Sequence, residues 1–179
     1  MAEVVVFHHA LGLTDAVRRL ADALRDAGHT VHTPDLYDGR TFVTLEEGLA
    51  YSEEIGGPMG VVDRGRAAVG PLPSEVVYVG FSLGVLPAQS LAQTRPGARG
   101  AVLCYSALPL GKWGDNWPAT WPDGVRLQLH ILEGDETPEI TIVHAYEATW
   151  EDLQACSARA AIPSGTRARF PSRNAPAAA

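Results

Sequence analysis

Unbroken apolar runs recur along the chain, and each hands over to a stretch with a different period. Val4-Val5-Val6-Phe7, Val76-Val77-Tyr78-Val79 and Ala101-Val102-Leu103-Cys104-Tyr105 are such runs. Short continuous runs bounded by turn residues are expected for strands covered on both faces, as in a parallel sheet. Between the runs the apolar spacing changes to the helical period. Thr14 precedes Val17, Leu20, Leu24 and Ala27, and Gly28 closes that helix. A short strand around Val31 follows and ends at Pro34, which predicts a right-handed parallel crossover. Thr44-Leu45-Glu46-Glu47 fits a capping box and opens a helix with Leu45, Leu49 and Ile55 on one face, ended by Gly56-Gly57-Pro58. A weaker helix runs from Val61 through Val69. Another begins after the Val76 run, passes through Leu86, Ser90 and Leu91, and stops at Arg95-Pro96-Gly97. Gly100 to Tyr105 and Val125 to Leu132 are two further strands. The alternation of strand and helix indicates an α/β fold, a three-layer sandwich around a mostly parallel central sheet.

The pattern is sharpest where the Val76 run enters Gly80-Phe81-Ser82-Leu83-Gly84, a G-x-S-x-G sequence between a strand and a helix. In that context the serine sits on a strained turn at the carboxyl end of the sheet, and glycines remove side chains that would clash. The Leu83 N–H and the helix dipole then face the position of an oxyanion. Pro87, five residues after Ser82, is late for a helix start and is expected to bend the first turn.

Composition narrows the function. With 179 residues, 46% hydrophobic and 20% charged, the chain reads as one soluble globular domain. The net charge of −7 argues against nucleic acid or an anionic membrane as partner. No signal peptide and no apolar run long enough for a bilayer are present, so a cytoplasmic location is expected. Cys104 and Cys156 make neither a disulfide framework nor a metal-ligand spacing. No Asp or Glu follows Asp152, while Arg159, Arg167, Arg169 and Arg173 do, so the last 27 residues carry +4 against −11 for the rest. Residues 111–124 are rich in Gly and Pro and hold Trp113, Trp117 and Trp121 at regular spacing. Two readings stand equal there, an aromatic rim over a pocket and a hydrophobic plug on the sheet edge.

Phe7-His8-His9-Ala10-Leu11-Gly12-Leu13, Pro34-Asp35-Leu36-Tyr37 and Gly80-Phe81-Ser82-Leu83-Gly84 occur in this order, and together they resemble the dienelactone hydrolase family. The resemblance covers residues 3 to about 136. It implies a small α/β-hydrolase without a large cap, cleaving lactones or small esters through an acyl-enzyme and using no cofactor. It places Ser82 as nucleophile, where the enzyme that names the family has cysteine, and Asp135 as the orienting acid. The N–H groups of Ala10 and Leu83 match the oxyanion hole. His9 stands where that enzyme has a glutamate, and its imidazole is within the pocket's reach as a surrogate base. His8 reads better as part of a hydrogen-bonded pair closing the first loop. Asp35 and Tyr37 read as loop-stabilising, with Tyr37, Arg40 and Trp113 as the residues offered to substrate.

The resemblance breaks at the carboxyl end. The family's catalytic histidine follows the acid by several tens of residues, whereas His144 follows Asp135 by nine. The base is thus missing or unplaced and activity is expected to be impaired, with His144 a candidate base if its loop folds back over the serine turn. The domain reading is therefore a hydrolase core over 1–137, an atypical segment over 138–162 and a disordered tail over 163–179, from truncation or a shifted frame. Within the middle segment Ile140 to Val143 is a candidate strand, and Tyr146, Trp150 and Leu153 fall on one helix face. A missing final strand and helix would expose a sheet edge, which makes a homodimer an expectation. The competing function is a catalytically silent α/β-hydrolase fold that binds a small molecule or a partner.

Overall fold

The computed structural model describes residues 1–108, 117–130 and the backbone of 146–147. In chain order the elements are β1 (Glu3–Phe7), α1 (Asp15–Asp26), β2 (Thr30–His32), α2 (Leu45–Glu54), α3 (Gly57–Val69), β3 (Val76–Phe81), a 3-10 turn (Ser82–Gly84), α4 (Val85–Thr94), β4 (Gly100–Cys104), β5 (Arg126–His130) and β6 (Tyr146–Glu147). The described strands form one sheet ordered β2-β1-β3-β4-β5-β6. Pairings from β2 through β5 are parallel, and β6 runs antiparallel to β5.

The period of two along each strand divides the core into two layers of contact. Val4, Val6, Val31 and Val79 point to one face and pack with Leu13, Val17 and Ala21 of α1 and its approach. Val5, Phe7, Tyr78, Leu103 and Leu129 point to the other and pack with α3 and α4. Helices on both faces explain why these strands read as continuous apolar runs. Among the described residues β5 is different. Leu127 and Leu129 are buried while Arg126 and Gln128 are exposed, so only one of its faces is covered.

Several elements depart from the sequence pattern for identifiable reasons. The capping box forms as expected: Thr44 Oγ1 accepts from the Glu47 N–H at 3.3 Å, and the Glu47 carboxylate accepts from the Thr44 N–H at 3.2 Å. The apolar face assigned to α2 is not the buried one, since Leu45 is 57% exposed and Leu49 42%. The helix turns Gly48, Tyr51 and Ser52 inward instead. A Cβ on Gly48 would lie 2.1 Å from the Ala10 carbonyl oxygen, so close approach of the first loop selects this face over the leucines. Gly56-Gly57-Pro58 ends α2 as expected and also opens the next helix. Gly56 has φ +105° and Pro58 lies in the first turn of α3, which starts earlier than its apolar residues indicate.

Pro87 does not interrupt its helix. The 3-10 turn delays the start of α4 to Val85, so Pro87 occupies its first turn, where a missing N–H costs no hydrogen bond. Tyr146 belongs to a strand and not to a helix, paired with Leu129. That pairing is decided by the open edge of β5, which spacing to Trp150 and Leu153 does not reveal. Trp117 is buried in the main core, and Trp121 packs at its margin with Nε1 donating to the Val125 carbonyl at 2.7 Å. For these two the plug reading holds; Trp113 lies outside the described residues. At the amino end of the sheet, Arg95 donates to the carbonyls of Val69, Leu72 and Pro73 and to the Tyr78 hydroxyl, tying the end of α4 to the entry of β3.

Candidate active site

The strand order reverses direction between β1 and β3: the chain leaves β1 for β2 on one side and later returns to β3 on the other. In open α/β sheets, ligands bind in the crevice at the carboxyl ends of two such strands. The register pairs Phe7 with Gly80 at those ends. The loop from His8 to Leu13 and the turn at Ser82–Gly84 therefore leave the sheet side by side.

Ser82 has φ +48°. A side chain in this left-handed region costs about 1–2 kcal/mol, which the surrounding structure must hold in place. Gly80 and Gly84 show why the turn is this tight. A Cβ on Gly80 would meet the Gly84 carbonyl oxygen at 2.4 Å and Ala88 Cβ at 2.8 Å. One on Gly84 would meet the Phe7 and His8 carbonyl oxygens at 2.5 and 2.6 Å. The first loop is thus packed directly against the serine turn. Ser82 and Leu83 are both half-buried. Leu83 is the second residue of the turn, so its N–H has no acceptor within the helix. Ala10 is buried, and its N–H meets no acceptor among the described residues.

The adjacent histidines have different roles. His8 is 1% exposed. Its Nε2 accepts from the Leu36 N–H at 3.0 Å, so the ring proton is on Nδ1, which donates to the His9 carbonyl at 2.8 Å. The ring also meets Tyr37 edge-on at 4.9 Å. Burial lowers the His8 pKa, against smaller opposing effects of the hydrogen bond to the His9 carbonyl and of Asp35, and favours the neutral imidazole. His9 Nδ1 accepts from the Leu11 N–H at 3.2 Å, and its Nε2 lies 3.5 Å from the Thr14 hydroxyl. Burial lowers its pKa as well. The His9 lone pair is committed to Leu11, so in this arrangement the ring has none to offer Ser82.

A pH dependence follows from His8. Its folded pKa lies below the ordinary value of 6.5, so below that pH the unfolded chain binds the additional proton. Stability should therefore fall on acidification from pH 6.5 toward the lowered folded pKa, by up to about 1.4 kcal/mol per pH unit from this group. Thermal melts between pH 7.5 and 5 check this. The slope should flatten in His8→Asn, and equal slopes in the two proteins would contradict it.

The second loop is a support. Asp35 accepts from the N–H groups of Tyr37 and Gly39 at 2.9 and 2.7 Å, folding the chain back on itself. Arg64 of α3 donates to the Leu36 carbonyl at 2.9 Å and to the Asp38 carboxylate at 2.6 Å. Tyr37, offered above to substrate, is 0% exposed, and its hydroxyl donates to the Gly48 carbonyl. Burial pushes its pKa up to about 12. It is a core residue of the loop and does not line a pocket. Arg40 is exposed and lies over the Tyr51 ring at 4.7 Å, while its own carbonyl approaches Gly12 in the first loop.

On the other side of β3, Cys104 is aligned with Phe81. Burial pushes the Cys104 thiol up to about 11, which leaves it protonated and unreactive at neutral pH. Tyr105 follows it at φ +66°, with its N–H donating to the His130 carbonyl at 2.7 Å and its ring 6.3 Å from Phe81. The role of Arg64 and the strain at Tyr105 had no signal in the sequence, since neither falls in a motif or on a periodic position. Asp135 and His144 lie outside the described residues, as does Trp113.

The sequence matches the model of the dienelactone hydrolase family over residues 1–116. Similar solved structures include one named m3DLH, 24% identical with a TM-score of 0.56, in which the match covers 78% of this chain and 59% of that one. Another is a dienelactone hydrolase-like promiscuous phosphotriesterase from metagenomic libraries, 25% identical with a TM-score of 0.49, covering 61% of this chain and 49% of that one. The chain thus spans about half to three-fifths of the length of these structures. With the serine turn, the histidine loop and the Asp35 loop all inside the matched residues, the chain belongs to the dienelactone hydrolase family.

Proposed function

We propose that the protein hydrolyses small ester or lactone bonds through an acyl-enzyme on Ser82. The observation that carries this reading is the serine held at φ +48° at the switch point of the sheet, with the first loop packed against its turn. In the reaction the Ser82 oxygen attacks the carbonyl carbon and its proton passes to a histidine base. The oxyanion is held by the N–H groups of Leu83 and Ala10. Collapse breaks the bond to the leaving oxygen, which takes the proton from the base. Water then releases the acid by the same steps with the base again accepting a proton. For a lactone the leaving hydroxyl stays tethered to the acyl group. Asp135 takes the part of the orienting acid, and His144 serves as base where its loop folds back over the serine turn; without a placed histidine, hydrolysis runs slowly on the oxyanion donors and binding alone.

A fluorophosphonate probe tests the reading, because only an activated serine displaces its fluoride. Stoichiometric labelling mapped to the peptide containing Ser82 is expected. An unlabelled, folded protein would leave the other reading, a silent member of the family that binds a small molecule or partner.

A further inference from the structure

We infer that His8 is a positioning residue that aims the Ala10 amide at the oxyanion. This rests on the reading of Ser82 as nucleophile and deepens it. The carbonyl of His9 and the N–H of Ala10 belong to one planar peptide unit, and in a trans peptide they point in opposite directions. His8 Nδ1–H donates to that carbonyl at 2.8 Å. The Gly12 N–H donates to the same carbonyl at 3.0 Å. The imidazole and this turn together fix the carbonyl and point the Ala10 N–H away from the ring. The ring itself cannot swing. Its Nε2 is anchored by the Leu36 N–H, 28 residues away, and its side is blocked by Tyr37, whose hydroxyl is in turn fixed on Gly48.

The next carbonyl is constrained too. The Ala10 oxygen sits against Gly48 so closely that a Cβ there would come within 2.1 Å. The His8 carbonyl presses on Gly84 in the serine turn. The peptide carrying the Ala10 N–H is therefore held between two fixed neighbours, while the N–H remains without an acceptor among the described residues. A buried donor kept free and rigidly oriented is what an oxyanion site requires, because it costs no reorganisation when charge develops.

The two functions of the ring can be separated. Asparagine presents an amide near the position of Nδ1, so His8→Asn keeps a donor for the His9 carbonyl and abandons Leu36. Glutamine presents an oxygen near the position of Nε2, so His8→Gln keeps the acceptor for Leu36 and leaves the His9 carbonyl to the Gly12 N–H alone. The readout is the second-order rate of fluorophosphonate labelling at Ser82 in the full chain, since the phosphonyl oxygen occupies the oxyanion position. Labelling of His8→Asn should stay within about threefold of the parent, and labelling of His8→Gln, with only Gly12 left on the carbonyl, should slow by about tenfold. KM for a small activated ester should be unchanged in both. Melting curves normalise each rate to the folded fraction, which a purely structural role would track. Equal labelling of His8→Gln and the parent, or an equal loss in both variants, would overturn the inference while leaving the serine reading intact. A parent protein that does not label at Ser82 would remove both.

Discussion

Replacing Ser82 by glycine should abolish hydrolysis and, at the same time, make the protein more stable. On the proposed reading of Ser82 as nucleophile, the loss follows from the removal of the attacking oxygen, with a fall in kcat of at least about 10³-fold. The gain follows from φ +48° at this position. Serine in the left-handed region is strained by about 1–2 kcal/mol, whereas glycine enters that region freely. Glycine's larger unfolded-state entropy takes back part of this, so a net gain of about 0.5–1 kcal/mol is expected, or roughly 1–4 °C in melting temperature for a chain of this size. Ser82→Ala separates the two effects. It removes the oxygen but keeps a Cβ at the strained position, so it should lose activity without gaining stability. A glycine variant that melts below the alanine variant would show that the turn stores no strain. Residual turnover at the parent rate in either would show that the nucleophile is elsewhere.

The strain at Ser82 was legible because a motif, a preceding strand and a following helix agree at that point, and because glycine on either side has no other local explanation. The alternation of β1, β3 and β4 with helices was legible for a related reason. Strands covered on both faces carry their burial in composition alone, without needing a partner to interpret them. Legibility fails where the partner decides. The leucines of α2 have the right period for a buried face, yet Gly48 wins because the Ala10 carbonyl must come close. Tyr146 pairs with β5 because that edge is open to it. His8 and His9 are neighbours of the same type, and their difference lies in Leu36, which is near His8 only in space. The same limit applies to Tyr37. Its place in a distinctive tetrapeptide invites a role at the surface of the site, but its ring is the floor under the loop that His8 supports.

Fold and site meet most tightly at Gly84, and Gly84→Ala should damage both at once. The added Cβ would lie 2.5 Å from the Phe7 oxygen, 2.6 Å from the His8 oxygen and 2.8 Å from the Phe7 carbonyl carbon. All three obstacles are backbone atoms at the end of a central strand, so no rotamer change makes room. Either the first loop lifts away from the serine turn or the turn moves off the sheet. Overpacking of this kind costs about 1–3 kcal/mol, and backbone obstacles place this site at the upper end. For 179 residues that corresponds to a melting temperature lower by roughly 6–10 °C. The chemical consequence should be larger than the loss of folded protein. On the proposed reading, lifting the first loop takes the Ala10 amide out of the oxyanion site it shares with Leu83, and removing one oxyanion donor costs about 10²–10³-fold in kcat. Ala67→Gly on the exposed side of α3 is a suitable control, because it lowers stability without touching the loop. Measured at a temperature where both variants are folded, Gly84→Ala should be slow and Ala67→Gly should match the parent. Equal rates in all three proteins would mean that the contact between the first loop and the serine turn holds the fold together but contributes nothing to the reaction.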